Sequence, residues 1–261
     1  MSTPLVKRAY NLGLKAVPNF MDALTEEAIA YYEQHLDELP TAIRRGFTIP
    51  GQEVASVAIA PSSQTLHKAS ETDLDYWLDK TQEFTKKHLG VEINLRQSFD
   101  IPVELPWKSV IPVFDPGNLD NRGMVNKAIK GLGFQVYEEN NVMKYSGSEA
   151  VKQPTLHFIE NSIRPNADTM GKSPDDLRQT GKLYLRLRGY GLAFATYNFA
   201  KGEYLDPQTW TWFPEDSLSD CGVACGGWDP VGRKVRFLWG YSVRRNSDMG
   251  ARLAMPVSLK T

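Results

Sequence analysis

Cysteine is nearly absent. Cys221 and Cys225 are the only two in 261 residues, too few for a disulfide framework and without the second thiolate pair that a four-cysteine zinc site needs. Both are expected as unpaired residues in a loop. Histidine is almost as scarce, with four in the chain, and His35, His67 and His88 have no clustered acidic or thiol neighbours with which to build a metal or catalytic centre. Neither sign of charge is in excess: 30 Lys and Arg stand against 31 Asp and Glu, a net charge of −1. That balance gives no reason to expect nucleic acid or an anionic membrane as partner. Long apolar runs are missing too, since nothing approaches the roughly 20 residues that cross a bilayer. The opening residues, Met1 to Tyr10, have no apolar stretch of signal-peptide type. The expectation is a protein without membrane insertion, cytoplasmic by default. What remains is ample material for a core, because 41% of the residues are apolar and the length suits one large or two ordinary domains. Four of the six Trp lie at or after Trp210.

The first ninety residues read as helical. Leu24, Ala28, Tyr32, Leu36 and Leu39 recur at helical spacing up to Pro40, and Leu74, Trp77, Leu78 and Phe84 form one stripe of a helix from Thr72 to Leu89, closed by Gly90. Between them Val54 to Ala60 reads as a strand. Val91, Ile93 and Leu95 then alternate with polar residues as in a strand, and Pro102, Pro106 and Pro112 suit edge strands or linkers. Strand, helix and strand follow at Val110 to Phe114, Leu119 to Lys130 and Phe134 to Tyr137. Asn140-Asn141 reads as a hairpin turn, and Ser146 to Ala150 as a linker. The chain is accordingly expected to divide into an N-terminal α+β region, residues 1–150, and a C-terminal domain, residues 151–261.

Past the linker, Thr155 to Ile159 reads as a strand that puts His157 and Glu160 on opposite faces, which does not suit a shared metal. Ser173-Pro174-Asp175-Asp176 is a strong helix start, with a capping side chain, a proline at the first helical position and two acids at the positive end of the dipole. The helical spacing runs on through Leu187 and Tyr197, with Gly181, Gly189 and Gly191 as weak points. Arg178, Lys182, Arg186 and Arg188 would make a cationic, solvated face of it. Short β runs begin at Thr209, Val235 and Ala251. Trp210, Trp212, Phe237, Trp239 and Leu253 sit in them and are expected to be buried scaffold.

Between the last two of these runs lies Gly240 to Met249, small, polar and charged, with neither helical nor strand period. Two β segments thus hold an exposed loop. With Gly226-Gly227-Trp228, the Arg236-Phe237 strand core and Gly250-Ala251-Arg252-Leu253-Ala254, this region resembles the variable proteins of diversity-generating retroelements, over roughly residues 155–261. The resemblance implies a C-type lectin-like C-terminal domain, of the type shared with formylglycine-generating enzymes, within an α+β chain. In that family an aromatic usually stands where this chain has Ala251, so Phe237 or Trp239 is expected to fill that space. The family's adenine-directed mutagenesis of Asn codons cannot yield Lys, Glu, Gln, Met or Trp, and all nine residues from Gly240 to Asp248 obey that restriction.

The implied function is binding of a varied macromolecular ligand, most of all a protein, without catalysis, metal or cofactor. The implied variable region, about 217–249, offers Ser217, Cys221, Gly222, Gly227, Asp229, Val231, Gly232, Gly240, Tyr241, Ser242, Val243, Arg245, Asn246, Ser247 and Asp248, projecting from one face. Tyr241 and Arg245 are the expected anchors, because both offer large contact area with a polar tip. The alternatives are a non-variable interaction or structural domain, an oxidase of the formylglycine-generating type, and a nucleic-acid-binding protein. The oxidases use cysteines in the late core and none follows Cys225 here, while the neutral net charge argues against nucleic acid.

Overall fold

Strand register decides which side chains meet, and it departs most from expectation where glycine is densest. The computed structural model describes residues 67–68, 71–117, 119–145, 153–218 and 222–260. The expected helix at 24–39, the strand at 54–60, the linker at 146–150 and Cys221 lie outside them.

The short strand β1 (His67–Lys68) precedes helix α1 (Glu71–Phe84), which continues as a π-helical turn, Thr85–Leu89. Gly90 stops it at φ 69°, a left-handed conformation that glycine adopts without a Cβ clash. The alternation of Val91, Ile93 and Leu95 does not make a strand. Instead the Asn94 side chain accepts the Gln97 N–H at 3.1 Å and starts helix α2 (Leu95–Ser98), so a local cap prevails over a short periodic pattern. β2 (Glu104–Leu105) pairs with β1.

β3 (Val110–Asp115) lies at the edge of a three-stranded antiparallel sheet, where Pro112 fits. Its partners are β5 (Thr155–Glu160) and, beyond that, β10 (Met255–Val257). Helix α3 (Asn121–Lys130) and strand β4 (Gln135–Glu138) follow β3. Asn140 and Asn141 do turn the chain with positive φ, but into the helical turn α4 (Val142–Tyr145) and not into a hairpin.

The capping box at Ser173 and Asp176 starts α5 (Pro174–Arg178), which ends after five residues. Gly181 turns with φ 64°, residues 183–185 pair with the segment around Arg252, and helix α6 (Leu187–Lys201) begins afresh. The expected cationic face is therefore broken up. Each cation meets an acid instead: Arg178 with Asp175, Lys182 with Asp168, Arg186 with Asp216 and Arg188 with Asp115. Nearly every residue of α6 from Leu187 to Tyr197 is buried, because the helix packs on α3, on β3 of the smaller sheet and on the larger sheet.

That larger sheet has the order β4-β8-β7-β6-β9, with β6 (Trp210–Ser217), β7 (Gly222–Asp229), β8 (Lys234–Tyr241) and β9 (Met249–Ala251). β7 is a central strand that composition hides, since Gly222, Ala224, Gly226 and Gly227 have weak strand propensity. Packing selects them. A Cβ on Gly226 would stand 3.0 Å from the Phe213 ring and 3.2 Å from that of Phe237, so only a bare backbone lets both rings close over the strand. Cys225 is consequently a buried strand residue with a free thiol, and not a loop residue.

The architecture is mixed α+β. One compact unit spans Gln64–Thr261, and the boundary expected at residue 150 falls inside it. Pairing of β3 with β5 and of β4 with β8, and packing of α3 on α6, join the residues on either side. Among the described residues no helix is long and apolar enough to cross a membrane.

Candidate ligand-binding surface

Alternation along β8 carries its side chains from core to surface. Val235 and Phe237 enter the core shared with α6, whereas Trp239 and Tyr241, next on that face, are 36% and 59% exposed. Their rings meet edge to face at 5.6 Å, and Val243 beyond them is 73% exposed. Trp239 is thus part of the surface and not of the scaffold. Trp212, Phe237 and Leu253 are buried as expected, and Trp210 is half-buried. The space beside Ala251 is filled by Trp212, its neighbour in the β6–β9 register, and not by Phe237 or Trp239.

The loop from 242 to 248 is tied down at three points. Ser242 donates its hydroxyl to Asp175 Oδ2 at 3.0 Å and its carbonyl accepts the Asp175 N–H at 3.1 Å. Arg245 grips Asp176 with two parallel bonds, Nε to Oδ2 and Nη2 to Oδ1, both 2.8 Å. At the far end the Asp248 carbonyl accepts the Trp210 N–H at 2.9 Å. The helix start that the sequence advertised at Ser173 therefore has a second use as the clamp for this loop. Arg178 extends the clamp by bonding Asp175, the Pro214 carbonyl and Ser217 Oγ.

Beneath the loop is a cavity of about 160 Å³, walled by Trp210, Trp212 and Leu238 from the sheet and by Arg244, Asn246 and Asp248 from the loop. The Trp212 indole N–H is buried without a hydrogen-bond partner among the described residues. Cys225 also lines this cavity, but burial pushes its thiol up to about 12, with the charge of Glu139 adding to the effect, so it holds no nucleophilic thiolate near neutral pH. Among the described residues no three His, Cys, Asp or Glu side chains gather as metal ligands would.

The structure brings together Tyr241, Val243, Arg245, Asn246, Ser247 and Asp248 at this end of the sheet, with exposed Ser217 joined to the clamp. It does not bring the rest there. Gly222, Gly227, Gly240 and Ser242 are buried and project nothing, for Gly227 lies under the Trp210 ring and Gly240 under Trp212. Asp229, Val231 and Gly232 are at the opposite end of the β7–β8 hairpin, about 24 Å away for strands of this length. There Asp229 is committed to the turn, accepting the Gly232 N–H at 2.9 Å. Trp239, expected in the scaffold, and Asp175 and Asp176, expected only as a helix start, belong to the site as well. Arg244, of a residue type that suits a binding surface, is exposed in the loop, but the clamp pairs residues 67 and 69 positions apart, which no local pattern signals.

The clamp has a pH signature. Arg245 holds the Asp176 carboxyl well below the usual carboxylate range, and bonds from the Ser173 N–H and hydroxyl group add to this. A depressed folded pKa means that the pairing contributes fully above the unfolded value of about 3.9 and is lost only as pH falls through the folded one. We expect the Arg245 Nε–H resonance to stay protected from exchange down to about pH 4 and to lose protection in stronger acid. Loss between about pH 6 and 5 would show that a different group controls the loop. The pair is exposed, so global stability should change little.

Compared with family models, with curated proteins and with solved structures, the chain matches none.

Proposed function

We propose that the protein is a receptor-like binding protein whose C-terminal surface recognises protein ligands, and that this surface is of the kind a diversity-generating retroelement varies on a C-type lectin-like scaffold. The carrying observation is the exposed Trp239–Tyr241 pair with Val243, at the end of β8 where it enters the clamped loop. Water-exposed aromatics in mutual contact are costly for a monomer and typical of contact surfaces, where they supply area at low entropic cost. Arg244, Asn246, Ser247 and Asp248 follow in the loop as adaptable polar groups. The surrounding sheet, held by Trp212 and Phe237, keeps its shape whatever these exposed side chains are.

A second reading, a binding domain of fixed sequence, draws support from the clamp. Ser242 and Arg245 are engaged with Asp175 and Asp176, which a freely varied loop would not preserve. One library distinguishes them. With Tyr241, Val243, Arg244, Asn246, Ser247 and Asp248 randomised and displayed, selection on several unrelated proteins is expected to yield specific binders that melt near the parent. If folded members bind none of the targets, the surface is not a general protein-binding platform. A second copy of the coding segment beside a reverse-transcriptase gene, differing at adenines, would favour the varied surface over the fixed one.

A further inference from the structure

A second cavity, of about 130 Å³, lies between the smaller sheet, the extended segment before α6 and the first turn of that helix. Its walls are apolar where Val113, Leu185 and Ala254 form them, and His157 supplies a polar group from β5, directly opposite Val113 in the β3–β5 register. None of the described residues hydrogen-bonds the His157 ring.

The charges around the cavity cancel. Asp115 accepts two bonds from Arg188, Nη2 to Oδ1 at 2.6 Å and Nε to Oδ2. Arg186 directs Nε and Nη2 to Asp216 Oδ1 at 2.9 and 2.7 Å, and the other Asp216 oxygen takes the Leu187 N–H at 2.6 Å. Burial pushes the His157 pKa below its ordinary value, and the Asp115 charge opposes this only in part, so the ring is neutral near pH 7. An anion entering here would be desolvated beside guanidinium groups already satisfied by carboxylates, and a cation would find no free acid. The volume is that of a single ring, since apolar cavities near 150 Å³ take benzene.

We propose that this cavity binds a small neutral phenol, its ring against Val113, Leu185 and Ala254 and its hydroxyl group donating to His157. A neutral imidazole accepts a hydrogen bond at one nitrogen, and a phenolic O–H is a good donor to it. The cavity shares no lining residue with the one beneath the loop, and the proposal does not depend on what the loop surface binds.

Phenol itself is the probe, titrated into the full chain carrying ring-labelled histidine. Of the four histidine signals, the one missing in His157→Phe identifies His157. A saturable shift of that signal with phenol is expected, with benzoate leaving it in place. Ala254→Leu, which extends a side chain into the cavity, should weaken phenol binding about tenfold or more. Saturation transfer from protein to phenol gives an independent readout for both variants, each checked to melt cooperatively. No saturable shift up to the solubility limit of phenol, equal binding of benzoate, or undiminished saturation transfer in His157→Phe and Ala254→Leu would each overturn the proposal.

Discussion

Asp206→Ala is expected to lower stability by about 3–5 kcal/mol, because it strands a buried guanidinium. Asp206 is fully buried and Arg252 is 2% exposed. The carboxylate accepts Arg252 Nη2–H at 2.7 Å and the hydroxyl groups of Thr209 at 3.1 Å and Thr211 at 2.7 Å. Removing it leaves three donors unsatisfied, and alanine is also strained at the φ of 53° found there. For a unit of this size the loss corresponds to a fall in Tm of roughly 6–20 °C. Asp206→Asn keeps an oxygen for the threonines and tolerates the backbone, so it should fall between wild type and alanine. Adding Arg252→Met to Asp206→Asn should recover part of the loss, since a buried charge without a partner costs more than an apolar replacement of the pair. Asp206→Ala melting with the wild type would show that the pair is not buried as described. The effect reaches the candidate surface, because Arg252 follows β9 and so helps fix the strand that receives the loop.

Much of this frame was legible because it is locally determined. Helix α1 announces itself through Leu74, Trp77, Leu78 and Phe84 on one stripe and Gly90 at its end, and α5 through Ser173, Pro174 and Asp176, each needing only neighbours within a turn or two. β7 was invisible for the opposite reason. Its glycines are set by the rings of Phe213, Phe237 and Trp210 on adjacent strands, and in isolation they read as a loop.

The candidate surface divides along the same line. That residues 242–248 form an exposed loop between strands could be read from the loss of period. Which flanking residues are displayed could not, because that depends on where α6 stops covering the sheet, and so Trp239 and Phe237, two positions apart on one face, have opposite fates. Register hides even more: Val231 and Tyr241 are close in sequence, yet the full length of the hairpin separates them.

Five substitutions at this end of the sheet separate scaffold from surface. Trp212→Ala should cost about 3–5 kcal/mol, since this ring is 1% exposed and packs among Leu177, Tyr184, Val223 and Ala251. Trp239→Ala, although the same chemical change, should cost under about 1 kcal/mol because its ring is already partly in water. Gly240 lies between Trp239 and Tyr241 but faces the other way, and a Cβ there would stand 2.6 Å from Trp212 Cη2. Gly240→Val is therefore expected to destabilise by about 1–3 kcal/mol through overpacking, while Tyr241→Ala and Val243→Ala leave the melting temperature near that of the parent. Thermal unfolding of the five variants under one condition checks the order. If Gly240→Val melts with the parent, the backbone of β8 yields at this point and position 240 rejoins the residues free to vary. If Trp239→Ala falls as far as Trp212→Ala, the ring is held in the core and the exposed aromatic pair, on which the proposed protein recognition rests, does not exist in solution.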